Sequence, residues 1–232
     1  MRSHRTPQPL SSREKILDVA EARFARSGFG GVGMREVASE VGLGKSSLFH
    51  HFASKDALYF QVLGRTLDRI GERVLPALDG TGTATERLAR TSDAMVGSLA
   101  EHPTAAPLLL RSLFEGGPLS DDRSPEAQAV DTLLLELVER FQRLVRDGID
   151  SGEFRPVSVP DTTQTLIGAA VFHFASGDFG EALFGNRSLF SAEAVERRRR
   201  ELREFFHRAL VCEPGPVSPS PAATGNPAAS RN

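Results

Sequence analysis

Residues 34–52 read MREVASEVGLGKSSLFHHF, two short apolar repeats on either side of a glycine turn. Met34, Val37, Ala38 and Val41 recur at helical spacing, the pattern breaks at Gly42-Leu43-Gly44, and a second short helix is expected from Lys45 to about His51. Small Ala38 lets two helices approach, Gly42 permits a sharp turn, Leu43 fills the space between the helices, and Leu48 anchors the second one. The outer face keeps Lys45, Ser46, Ser47, Phe49, His50 and His51, a polar and partly basic surface suited to base edges and phosphates. This is the arithmetic of a helix-turn-helix whose second helix enters a major groove, and equally that of an ordinary helical hairpin.

Upstream, Ser11 and Glu14 have capping-box spacing, so a helix is expected to start there, bury Ile16, Leu17, Ala20 and Phe24, and end at Gly28. Residues 1–11, with Pro7 and Pro9 among Arg2, His4 and Arg5, read as a disordered arm. Downstream, Ser54 is placed to cap a longer helix that carries Asp56 in its first turn and buries Leu63, Leu67, Ile70 and Val74. Pro76 and the run 79–83 are expected to stop it. Further helices are expected over 85–101, from a first-turn Pro103 to Gly116-Gly117-Pro118, from Ser124-Pro125 to Gly152, over 161–177 and over 191–211. Strand patterns are absent. The chain therefore reads as all-α: an N-terminal three-helix helix-turn-helix unit over 12–56, a larger helical unit over 57–212, and a disordered tail over 213–232.

Of the 232 residues, 40% are hydrophobic and 25% charged, which excludes wholesale disorder and fibrous classes. No stretch approaches the uncharged length of a membrane span and residues 1–12 lack a signal-peptide core, so the reading is cytoplasmic, without membrane partners. Cys212 is the single cysteine and forms no internal disulfide. Residues 1–56 hold nine Lys/Arg against six Asp/Glu, a net +3, whereas the remainder holds 19 against 24, a net −5. A basic head on an acidic body suits a polyanionic partner.

The run Arg13-Glu14-Lys15-Ile16-Leu17, Phe24, Gly28-Phe29, Arg35-Glu36-Val37-Ala38, Val41-Gly42-Leu43, Leu48-Phe49-His50-His51-Phe52 and Ser54-Lys55-Asp56-Ala57-Leu58 resembles the TetR family in order and spacing. Residues 148–156, GIDSGEFRP, resemble the joint between two long helices in the C-terminal domain of many members. The resemblance implies a sequence-specific transcriptional regulator, a repressor released from a palindromic double-stranded operator by a small-molecule effector. Lys45 and Ser46 fall where members touch bases, with Ser47 and His50 beside them; Phe49 and His51 fall where members meet backbone or adjacent bases, and Lys55 where a lysine contacts phosphate. Two departures stand out. Phe49 replaces the usual tyrosine, and Val32-Gly33 stand where Ser or Thr usually opens the second helix, leaving Arg35 to supply backbone contact.

The resemblance also implies a homodimer built on the last two helices, with Phe172, Phe205, Phe206 and Leu210 as contributors; intramolecular core is the alternative for each. An apolar or amphipathic effector is expected inside the C-terminal unit, with Leu67, Met95, His102, Leu110, Phe114, Phe141 and His173 as candidate wall, acting by shifting the helix over 55–75. No cofactor, metal site or catalytic residue is expected: His50 and His51 are adjacent and diverge, and the other histidines are scattered. Gly28 to Gly33 spell G-x-G-x-x-G, but a helix rather than a strand precedes them. Arg197 to Arg200 lie within a helix and read as a solvated or ion-paired face. The competing classes are an all-helical enzyme and a protein-interaction module without DNA binding.

Overall fold

The computed structural model describes residues 11–117 and 124–212; the expected terminal arm, save residue 11, and the expected tail lie outside them. Among the described residues ten helices run in order: α1 (Ser12–Ser27), α2 (Met34–Val41), α3 (Lys45–His51), α4 (Lys55–Asp79), α5 (Ala84–Glu101), α6 (Ala105–Ser112), α7 (Pro125–Asp150), α8 (Val159–Ala175), α9 (Gly177–Leu183) and α10 (Ala192–Leu210). Their starts follow local chemistry. Ser11 and Glu14 cap α1 reciprocally, Ser54 Oγ accepts from the Ala57 N–H at 3.0 Å, and Ser124 caps α7 with Pro125 at its first position.

Three expectations are corrected. Pro76 does not stop α4, which runs on to Asp79: at the last turn proline forfeits a single backbone bond, while Leu78 behind it is fully buried and its carbonyl accepts from Arg87 Nε at 2.8 Å. Pro103 is not in the first turn of α6, which starts two residues later after Thr104. The stretch after α8 is not featureless, because α9 occupies 177–183. Residues 148–156 do form the joint between α7 and α8. The Phe154 ring lies where a β-carbon on Gly148 would stand, and Phe154 N–H closes on the Gly148 carbonyl at 2.8 Å. An antiparallel bridge, Phe154 to Val211, pins the end of α10 against this joint.

Two apolar clusters make the core. One joins α1, α2 and α3 to the first half of α4 and also takes in Leu108 of α6 and Ala127 and Val130 of α7. The other gathers Ile70, Val74 and Leu78 from the second half of α4 with α5, α7, α8 and α10. Helix α4 thus lies across both, and no break in packing falls at residues 56 and 57.

Candidate nucleic-acid interface and effector cavity

Gly42 ends α2 in the left-handed conformation (φ +75°), which a side chain would resist, and Leu43 N–H bonds back to the Ala38 carbonyl at 2.8 Å. That turn sets α3 across α2 with a single buried side chain, Leu48. Lys45, Ser46, Ser47, Phe49 and His50 are all exposed, and His51 is half-buried with its ring 5.9 Å from that of His50. Lys45 Nζ hovers 5.5 Å from the Phe49 ring, and Phe49 keeps 39% of its surface in solvent. Arg35 is exposed on α2; the Gly33 N–H that opens α2 is met by Glu36 at 3.4 Å rather than by a hydroxyl. Lys55, at the start of α4, lies 4.3 Å over the Phe29 ring. None of the ion pairs among the described residues engages Arg35, Lys45 or Lys55, whereas Arg23 behind them is held by Glu36 at 3.3 Å and by Glu40. Free cations therefore face outward where a polyanion can reach them.

The head is fastened to the body by groups that the sequence reading did not single out. Glu21 of α1 is buried and accepts from Arg65 at 2.6 Å and Arg69 at 3.0 Å on α4, and from the Thr104 hydroxyl at 2.6 Å before α6. Burial pushes its carboxyl up, but Thr104 and the two guanidinium groups outweigh burial and hold it below the ordinary value. At the other end of α6, Arg111 donates to the Arg26 carbonyl at 3.2 Å, and Glu115 takes the Phe29 N–H at 2.6 Å while packing on Gly28. Tyr59, buried beside Phe24 and Phe29, has its phenol pushed up to about 12 by burial and by the Glu115 charge. A glutamate inside the apolar stripe Leu17, Ala20, Phe24 was the available signal for Glu21.

In the body a cavity of about 180 Å³ lies among α4, α5, α6, α7 and α8. Its wall includes Leu67, Met95, Leu110 and Phe141 from the expected set, joined by Ile70, Thr91, Leu109, Leu137 and Leu166. His102, Phe114 and His173 are not part of it. His102 caps the end of α5; Phe114 is 82% exposed past the end of α6; His173 is turned to Phe174 and Phe184 under Arg197 and Arg198. Of the expected dimer contributors, Phe172 and Phe205 are 53% and 56% exposed, but Phe206 and Leu210 are core residues, on the inward side of α10. Phe179 and Leu183 of α9 add exposed apolar surface near Phe172, whose ring meets Phe179 edge to face. The expected solvated or ion-paired face holds for Arg199, paired with Glu196, and for exposed Arg200, beside Glu201; Arg197 instead lies 4.8 Å from the Phe184 ring, and Arg198 donates to the Ala169 carbonyl.

A helix-turn-helix with Arg35, Lys45 and Lys55 outside the ion pairs of the described residues, carried on a helical body with an apolar cavity, has counterparts among known proteins. Residues 16–62 match the family described as "Bacterial regulatory proteins, tetR family", and residues 85–205 match "Tetracyclin repressor-like, C-terminal domain". The chain belongs to the TetR family. It is a DNA-binding transcriptional regulator and not an enzyme. The HTH-type transcriptional repressor KstR2 of Mycolicibacterium smegmatis is 31% identical over 151 residues, which span 64% of this chain and 70% of that protein. The ketosteroid transcriptional regulator KstR2 of Mycobacterium tuberculosis shares the fold with a TM-score of 0.69 at 20% identity, over 89% of this chain and 98% of that one. AibR, solved in complex with isovaleryl coenzyme A and operator DNA, does so with a TM-score of 0.67 at 15% identity, over 84% and 97%. At such identities the structural likeness concerns the TetR fold alone. Among the described residues no helix is long and apolar enough to cross a membrane.

Proposed function

We propose that residues 12–56 form the operator-reading unit of a TetR-type repressor, and that residues 57–212 bind its effector and a second copy of the chain. The observation that carries this is α3, which buries only Leu48 and offers Lys45, Ser46, Ser47, Phe49 and His50 to the outside. Lys45 and Ser46 read base edges, with Ser47 and His50 beside them. Phe49 supplies apolar contact, as to a thymine methyl, while Arg35, His51 and Lys55 meet phosphates, Lys55 aided by the positive end of α4.

One such head spans few base pairs, so useful specificity needs two, set about 34–36 Å apart on successive grooves. Exposed Phe172 and Phe205 on α8 and α10 are the surface we assign to the twofold contact, with Phe179 and Leu183 adjoining.

The effector occupies the apolar cavity. Leu67, Ile70 and Val74 of α4 and Leu109 and Leu110 of α6 line it, and α6 is tied at both ends to α1 through Thr104–Glu21 and Arg111–Arg26. A ligand that fits best when these helices have shifted binds the DNA-incompetent arrangement more tightly, and that differential affinity sets how far it releases the operator. AibR, solved with isovaleryl coenzyme A and operator DNA, and a Saccharomonospora viridis regulator solved with choline share this fold, and their descriptions support a small-molecule ligand for a regulator of this kind.

Selection of bound fragments from random DNA with the purified protein tests the reading. A palindrome is expected, with affinity that falls linearly on a log-log salt plot. Absence of both an enriched motif and a salt slope overturns it.

A further inference from the structure

The cavity wall is apolar save for two side-chain hydroxyls, those of Thr91 and Ser112. Ser112 spends its hydroxyl on its own helix, donating to the Leu109 carbonyl at 2.8 Å. Thr91 does not. It is 1% exposed, stands in mid-α5, and its Oγ1 has no hydrogen-bond partner among the described residues. The contrast with its neighbours is sharp. Ser92, one residue on, bonds to the Leu88 carbonyl at 2.9 Å, and Thr66 and Thr163 likewise bond one turn back on their helices. Such back-bonding is the ordinary resort of a buried helical hydroxyl, and one left unpaired is both costly and uncommon. No Lys, Arg, His, Asp or Glu contributes to the wall, so an ionised group brought inside would meet no countercharge.

We infer that the effector is an uncharged, mostly hydrocarbon molecule with one carbonyl or hydroxyl oxygen, which pairs with Thr91 Oγ1 at the wall of the cavity. The hydroxyl both donates and accepts, so it serves a ketone, an ester or an alcohol. About 180 Å³ is slightly more than the roughly 150 Å³ of an apolar cavity that takes up benzene, so ring-sized probes fit. A carboxylate at the same depth would be left desolvated and unpaired. The inference rests on the reading of this cavity as the effector site, and the two can fail separately.

Acetophenone, ethylbenzene and phenylacetate share a ring and a similar size, and differ as ketone, hydrocarbon and anion. Calorimetric titration of the full chain with each, at pH 8, is compared for the unaltered protein, Thr91→Val and Thr91→Ser. Thr91→Val keeps the shape and removes the hydroxyl. It is expected to weaken acetophenone about two- to tenfold, the worth of one hydrogen bond, and to leave ethylbenzene unchanged or tighter. Thr91→Ser keeps the acetophenone affinity, and phenylacetate binds none of the three detectably. Without ligand, Thr91→Val melts above the unaltered protein, because it no longer buries an unpaired hydroxyl.

Equal acetophenone affinity in the unaltered protein and Thr91→Val, or tight phenylacetate binding, overturns the anchor while leaving the cavity as a site. Failure of both neutral probes to bind overturns anchor and cavity together. Binding with the expected Thr91 dependence but no change in operator affinity upholds the anchor and removes the effector reading.

Discussion

Lys45 and Lys55 bring the same charge to the DNA-facing side in unlike settings. Lys45 projects from α3 with its ammonium group beside Phe49, whereas Lys55 is half-buried over Phe29 in the first turn of α4. Lys45→Ala should therefore cost about 1–3 kcal/mol at the preferred base and blur sequence preference, whereas Lys55→Ala should weaken binding to all sequences and lower the salt slope by about one. Measured affinities for the operator and a scrambled duplex check this, and identical effects of the two variants would contradict the assigned roles. These residues were legible because a seven-residue helix with one anchor, Leu48, leaves little choice about its other sides. The body offered no such constraint. A helical period says which side of α10 is apolar, not whether a given phenylalanine meets its own chain, so Phe205 and Phe206 looked alike although one is exposed and the other is core. His102, Phe114 and His173 were misplaced for the same reason, and Thr91 carries no sequence signal at all, since its distinction is a bond it does not make.

Among the elements, α6 has the most to transmit for its length. Eight residues long, it supplies Leu109 and Leu110 to the cavity and is followed by Glu115, which grips the Phe29 N–H just beyond α1. Glu115→Gln preserves the shape and removes the charge that strengthens that bond. It is expected to reduce the ratio of operator dissociation constants with and without acetophenone, with a stability loss on the order of 1 kcal/mol. An unchanged ratio would show that α6 does not carry the signal to the head. Element starts were easier to read than element ends, because caps are local: Ser11, Ser54 and Ser124 all sit where their chemistry placed them. The continuation of α4 past Pro76 depends on Leu78 being buried by distant chain, and α9, with two glycines in seven residues, has no local pattern to announce it.

For the molecule as a whole, acid should loosen the packing of α8, α9 and α10. Burial, with the charges of Arg198 and Arg197, lowers the His173 imidazole to about 4, so it is neutral in the folded protein, while in the unfolded chain it protonates near 6.5. The unfolded chain then binds more protons between those values, so the contribution is intact above about pH 6.5 and is lost as pH falls toward 4. Denaturant unfolding at pH 7 and pH 5 should differ by about 2 kcal/mol from this group alone, and His173→Gln should flatten the difference. An equal slope in both proteins would remove His173 as the cause.

The apolar cluster that runs unbroken from α1 through Leu63 and Leu67 to Leu108 and Val130 also sets terms for engineering. Grafting this head onto a foreign sensor by splicing after residue 56 would cut through a shared interior and expose raw hydrocarbon on both halves. A transplantable specificity cassette from this protein is instead the handful of outward side chains on α3, rewritten in place.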